Sequence, residues 1–272
     1  MSVEQSLLGK ETQYPTQYQP DILFPIPREP SREAYASISE VQQGNDWWHV
    51  FELSWLNSQH IPQVAIGRLN IPANSKYLIE SKSLKLYFNS LNFTCFANHS
   101  ELVQTVEKDL SQAAQAPITL ELTHPNDLLV NQPEGSCLDH LSPQKLSQHP
   151  DASLLELDST SSQETEEYLY SNLLRSNCPV TGQPDWGTVF IRYEGKKISH
   201  ESLLAYIISF RQHNGFHEQC VEQMFAEIWQ NLQPNKLMVY AAYTRRGGLD
   251  INPCRVSHLS WLPQTPLRLS RQ

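Results

Sequence analysis

Twice along its 272 residues the chain passes through the same order of patterns: strand, strand, helix, helix, strand. That repetition limits the folds open to it more than any other feature of the sequence. In the first pass, Trp47 to Leu56 is an aromatic strand-like run, and Pro62 to Ile71 reads as its hairpin partner after a turn near Asn57-Ser58. Glu80 to Leu91 then places Leu84, Tyr87, Phe88 and Leu91 at helical spacing. A second helix is predicted over His99 to Gln115, with Leu102, Val103, Val106 and Leu110 on one face and Pro117 as its stop. Ile118, Leu120 and Leu122 alternate as in a half-buried strand.

The second pass opens with a strand predicted over Tyr168 to Leu174 and another over Thr188 to Tyr193, turning at Gly195. Helices follow over His200 to Gln212 and His217 to Leu232, separated by Asn214-Gly215. Two closing strands, Lys236 to Arg245 and Leu249 to Arg255, meet at Gly247-Gly248, so the final strand is clear only in this half. Identity between the halves is slight, which makes this a repeat of architecture. The expected fold class is α+β, each half an antiparallel sheet with two helices on one face. Residues 1–46, rich in Gln, Pro, Ser and Glu, read as an irregular N-terminal arm. The modules are then 47–130 and 165–272, joined by a connection over 131–164 that is too long for an unstructured loop within one compact domain.

Charge narrows the choice of partner. The net charge of −9 argues against a broad electrostatic grip on nucleic acid. Five scattered cysteines do not suggest a disulfide framework. No signal peptide, lipidation motif or long apolar run is visible, so a cytoplasmic protein with reduced thiols and no membrane contact is expected.

Between the first two strands of the second half lies Ser176-Asn177-Cys178-Pro179-Val180-Thr181-Gly182-Gln183-Pro184-Asp185-Trp186-Gly187. It sets one thiol and one carboxylate seven residues apart in a turn punctuated by proline and glycine. A thiolate is a strong nucleophile, and a nearby carboxylate can accept or deliver its proton. The plainer reading makes Cys178 a buried small hydrophobe and Asp185 a turn former after Pro184.

Four blocks carry a resemblance that decides between these readings: SNCPVTGQPDWG, FHEQCVE, TRRGGLDINP and ESKSLKLYFNS. Together, and in their order along the chain, they resemble the QueF family of nitrile reductases in its long, two-module form, from about Trp47 to the C-terminus. The resemblance implies NADPH-dependent reduction of 7-cyano-7-deazaguanine to 7-aminomethyl-7-deazaguanine for tRNA queuosine biosynthesis. It also implies two tandem tunnelling-fold (T-fold) modules and a homodimer. Cys178 corresponds to the family's nucleophile and Asp185 to its proton donor. His217 and Glu218 would bind the substrate, Glu218 as a carboxylate that matches a pair of ring N–H donors bidentately. Glu80, Ser81 and Lys82 are carried over to the substrate side, and Lys82, Ser83, Arg246 and Gly247 to NADPH.

Each of these positions has an ordinary structural reading as well. An acidic first turn suits any helix, which accounts for Glu218. Glu80 to Lys85 reads as the exposed, charge-paired start of an amphipathic helix. Arg245-Arg246-Gly247-Gly248 reads either as a hairpin turn with solvated arginines or as a turn whose backbone N–H groups approach a phosphate. The chain has no G-x-G-x-x-G fingerprint, so a dinucleotide must bind by another route. Cys137-x-x-His140 lacks a second pair at zinc-like spacing, and no metal is expected. The alternatives are a cyclohydrolase-like enzyme or a purine- or pterin-binding T-fold protein without reductase activity.

Overall fold

The computed structural model describes residues 14–272, so the first part of the predicted N-terminal arm lies outside the described residues. The chain divides into two compact units. The first comprises the described residues up to Glu33 together with Asp46–Leu129 and Arg245–Asp250. The second comprises Ala34–Asn45, Val130–Thr244 and Ile251–Gln272.

In the first unit, β1 (Pro25–Pro27) leads through the single turn α1 (Glu29–Arg32) towards β2 (Gly44–Leu56) and β3 (Pro62–Pro72). β4 (Tyr77–Ile79), α2 (Ser81–Ser90), α3 (His99–Ala114) and β5 (Thr119–Thr123) complete it. β3 lies between β2 and β5 and runs antiparallel to β5, with Leu69 opposite Leu120. β1 pairs separately with β4. Leu84, Tyr87 and Phe88 of α2 and Leu102, Val106 and Leu110 of α3 are buried, as their spacing requires. Asn98 caps α3 by accepting from the Glu101 N–H, and Gln115 ends it in the left-handed conformation with φ of 52°.

The N-terminal arm is short turns and extended chain, and it lies along α2. Phe24 N–H donates to Ser83 Oγ, Gln19 N–H to Ser90 Oγ, and Asn89 Nδ2 to the Pro15 carbonyl. The hydroxyls of Tyr18 and Tyr87 both donate to Asp109, at 2.5 and 2.7 Å.

The second unit contains β6 (Ser136–Cys137), β7 (Glu164–Ser171), β8 (Arg175–Asn177), β9 (Pro184–Lys196), α4 (His200–Ser209), α5 (His217–Leu232) and β10 (Lys236–Tyr243). β11 (Leu249–Val256) pairs with β10 through Met238–Val256, Val239–Arg255 and Tyr240–Cys254. β9 is the central strand: it runs antiparallel to β10 on one edge and to β7 on the other, and its first residues pair with β8. Val189, Ile191 and Tyr193 of β9 alternate with polar or oppositely facing neighbours and join Leu237, Val239, Ala241 and Tyr243 of β10 in one core. The helices complete that core with Leu203, Ile207 and Phe210 from the α4 segment and Val221, Met224, Phe225 and Ile228 from α5.

Among the boundaries that differ from the sequence expectation, two flank the cysteine loop. The run predicted as one strand from Tyr168 to Leu174 ends at Ser171, because Asp139 captures the chain there. Its carboxylate accepts from Ser171 Oγ at 2.7 Å, from Asn172 N–H at 3.0 Å and from Asn172 Nδ2 at 2.9 Å. The chain turns and resumes as β8. On the far side of the cysteine loop, β9 begins at Pro184 instead of Thr188, which places Asp185 in a strand. Proline is tolerated as the first residue of a strand, where its missing N–H breaks no ladder bond.

Candidate active site

The second unit brings the cysteine loop to the start of α5 through the backbone of one residue. Asn177 N–H donates to the His213 carbonyl at 2.8 Å, and the Asn177 carbonyl accepts from Gly215 N–H at 3.1 Å. Cys178 follows directly, and a tight loop fixes it. Its N–H donates to the Gln183 carbonyl, and its carbonyl accepts from Gly182 N–H, at 2.9 and 3.0 Å. Gly182 closes that loop at φ of +67°, a conformation that a residue with a side chain rarely adopts. The Cys178 side chain is buried but not sealed, at 8% exposure.

Asp185 lies across from Ser176 in the β8–β9 register, so the two side chains share a face, and both are buried. His217 opens α5. Its Nε2 lies 3.6 Å from Asp185 Oδ1, beyond a formed hydrogen bond but within easy reach of one. The His217 ring meets the Tyr243 ring edge to face, with centroids 4.1 Å apart. Gln219 accepts from the Phe216 N–H at 3.2 Å and sets the entry of the helix. Glu218, in that first turn, is buried, where the helix N-terminus favours its negative charge.

Below these groups lies Cys220, fully buried on α5. Burial pushes its thiol up to about 12, opposed by the adjacent hydroxyls of Ser176 and Tyr243. The charges of Asp185 and Glu218 push it further in the same direction. Cys220 is therefore held as the neutral thiol at neutral pH.

In the first unit, Glu80 is not part of an exposed helix face. It is the N-cap of α2, 1% exposed, and its two oxygens accept from Lys82 N–H at 2.6 Å and Ser83 N–H at 2.8 Å. Burial raises its pKa, against the opposing effect of those N–H bonds. Ser81 and Lys82 occupy the first turn, half buried. Ser83 is fully buried: its hydroxyl donates to the Glu80 carbonyl and accepts from Phe24 N–H.

Arg246 and Gly247 lie in a tight turn. Arg246 N–H donates to the Leu249 carbonyl at 2.8 Å, and Gly247 and Gly248 have φ of +59° and +79°. A Cβ on Gly247 would stand 2.3 Å from Lys85 Nζ, so the ammonium lies directly against the turn. Arg245 lies over the Phe51 ring at 5.0 Å, and the Gly248 carbonyl accepts from Phe51 N–H. Lys85 was not singled out from the sequence, although its place one helical turn after Ser81 and Lys82 was a usable signal.

The first unit thus sets Lys85 beside a glycine turn, whereas the second holds a thiol, a carboxylate and an imidazole around the start of one helix. Fold and side chains define a two-unit α+β protein equipped for nucleophilic and proton-transfer chemistry. A family model described as "Nitrile reductase, 7-cyano-7-deazaguanine-reductase N-term" matches residues 14–122, and one described as "QueF-like protein" matches residues 184–260. The chain is 69% identical over 272 residues to an NADPH-dependent 7-cyano-7-deazaguanine reductase of Acinetobacter baylyi, and 70% identical to one of Acinetobacter baumannii. It is 52% identical to the reductase of the same name from Psychrobacter arcticus. All three alignments cover the whole of both chains. The chain belongs to the QueF family of nitrile reductases.

Proposed function

We propose that this chain reduces the nitrile of 7-cyano-7-deazaguanine to the primary amine of 7-aminomethyl-7-deazaguanine with NADPH. The observation that carries the reading is identity of 69% along the whole length of a relative bearing that activity in its name. Cys178 is the nucleophile. Its thiolate sulfur bonds to the nitrile carbon, and the nitrile nitrogen takes a proton, giving a covalent thioimide. Asp185 delivers that proton, and His217, 3.6 Å from it, binds beside the reacting group and holds the carboxyl in reach. Glu218 accepts hydrogen bonds from the N–H donors of the purine-like ring, and Glu80, Ser81 and Lys82 contribute to the substrate side.

The chain fits the cofactor at the turn of the first unit. Gly247 lets the Lys85 ammonium lie against the turn, and Lys82, Lys85 and Arg246 supply cations suited to phosphate, with Gly247 offering backbone. Ser83 belongs to this assignment through the α2 turn that its hydroxyl locks. NADPH supplies hydride when bound. The residues of this chain hold a proton for nitrogen and exclude water, and Cys178 departs as thiolate once the carbon is reduced.

The two halves, 47–130 and 165–272, are tandem T-fold modules linked by 131–164, with 1–46 as an arm. The α+β order of elements and the antiparallel pairing support this assignment. We further assign a homodimer working in the cytoplasm, supplying tRNA queuosine biosynthesis at the level of the free base. No helix among the described residues is long and apolar enough to cross a membrane. Mixing the protein with NADPH and the nitrile, then following absorbance and product mass, tests the reading. Consumption of NADPH with appearance of the amine is expected; folded protein yielding no amine would overturn it.

A further inference from the structure

Tyr243 has no part in the chemistry described above, yet it touches the catalytic machinery from below. Its ring packs edge to face on His217 with centroids 4.1 Å apart. Tyr243 is the last residue of β10 and stands opposite Gly187 of β9, two residues beyond Asp185. Gly187 makes room for it: a Cβ there would lie 3.2 Å from the Tyr243 ring. The Tyr243 hydroxyl is fully buried near Ser176, which faces Asp185 across β8 and β9, and near the Cys220 thiol, and neither it nor the Ser176 hydroxyl makes a formed hydrogen bond. His217 Nε2 itself is buried without a formed hydrogen bond, Asp185 Oδ1 at 3.6 Å lying beyond one, so no hydrogen bond to that nitrogen fixes the imidazole. What remains to fix it is packing.

We propose that Tyr243 is a positioning residue: its ring holds the His217 imidazole at Asp185. The inference deepens the nitrile-reductase reading and rests on it for the role of His217. A ring wedged in this way removes rotational freedom from the imidazole before substrate arrives, and pre-set geometry is worth most in a proton-transfer site. The ring, more than the hydroxyl, carries the effect, because the contact with His217 is aromatic.

Three variants test this in the full-length protein: Tyr243→Phe, Tyr243→Leu and Ser176→Ala. Tyr243→Leu is expected to lower kcat at least about tenfold with KM changed less than about threefold, whereas Tyr243→Phe stays within about threefold of wild type. In protein labelled with 13C at histidine, the His217 signals, identified by their loss in His217→Gln, should move in Tyr243→Leu and stay near wild type in Tyr243→Phe. Ser176→Ala, which removes a hydroxyl that makes no formed hydrogen bond, should also leave them near wild type. Unchanged His217 signals and turnover in Tyr243→Leu would overturn the proposal, as would equal losses in Tyr243→Phe and Tyr243→Leu. Should Tyr243→Leu fail to fold, Tyr243→Met removes the same ring and answers the same question. If wild type makes no amine at all, the reductase reading falls, and the histidine signals alone still decide whether Tyr243 fixes His217.

Discussion

At Asp185 the backbone and the side chain serve different ends. The backbone extends β9 and fixes the register with Ser176, while the carboxylate turns into the buried space beside His217. A change at this residue that keeps its shape should therefore spare the fold and damage the chemistry. Asp185→Asn is expected to bind the nitrile within a few-fold of wild type and to reduce it about a hundredfold to ten-thousandfold more slowly, the usual range for a lost general acid. Near-normal turnover would leave Asp185 with a structural role only. Cys220 makes a contrasting case among the thiols. Its folded value is pushed up to about 12 from an ordinary 9.0, so the unfolded chain loses this proton first as pH rises. The stability it contributes is complete below the ordinary thiol range and is lost as pH climbs from there towards its folded value. Denaturant midpoints measured from pH 8 to 11 should fall less steeply in Cys220→Ala than in wild type. An identical slope in the two proteins would refute that burial effect.

At the scale of elements, the start of α2 carries a structural duty and a proposed functional one in the same carboxylate. Glu80 satisfies two N–H groups that the helix cannot pair internally, and Ser83 ties the same turn to the N-terminal arm at Phe24. Glu80→Ala should cost about 1 to 2 kcal/mol in urea unfolding, the upper part of the range for a lost cap. If Glu80 also holds substrate, the dissociation constant for the nitrile rises in the same variant, and Glu80→Gln, which keeps an acceptor, recovers more stability than affinity. A stability unchanged by Glu80→Ala would contradict the cap. Local pattern revealed some elements and concealed others for physical reasons. α5 was legible at both ends, because Asn214-Gly215 breaks the preceding helix and the apolar spacing from Val221 to Leu232 is regular. The break between β7 and β8 was not, because the group that causes it, Asp139, is 33 residues from Asn172 in sequence. Asp185 was placed in the loop ahead of a strand expected from Thr188, and only the pairing with β8 makes Pro184 a strand start.

Across the whole molecule, the cysteine loop, the start of α5 and the ESKSLK block were legible because each is a contiguous motif. The grouping of Tyr243 with Ser176 and Cys220 was not, although two of the three lie inside those motifs, since they come from three elements; only the fold places them under His217. Lys85 was passed over for a related reason, because its contact is with a glycine turn some 160 residues away. The proposed reaction sets a stoichiometry for the intact protein. Nitrile to primary amine is a four-electron reduction, so two NADPH should disappear for each amine formed, and the half-reduced intermediate should not escape as aldehyde. One NADPH per amine, or equal use of NADH, would count against the cofactor assignment. The central claim, however, is that Cys178 bonds to the nitrile carbon before any reduction occurs. Intact-protein mass spectrometry with 7-cyano-7-deazaguanine and without NADPH measures this directly. The account predicts one adduct of the substrate's mass on wild type, mapped to Cys178 and absent from Cys178→Ala. An adduct on Cys95, Cys137, Cys220 or Cys254, or an active protein that forms none, would contradict it.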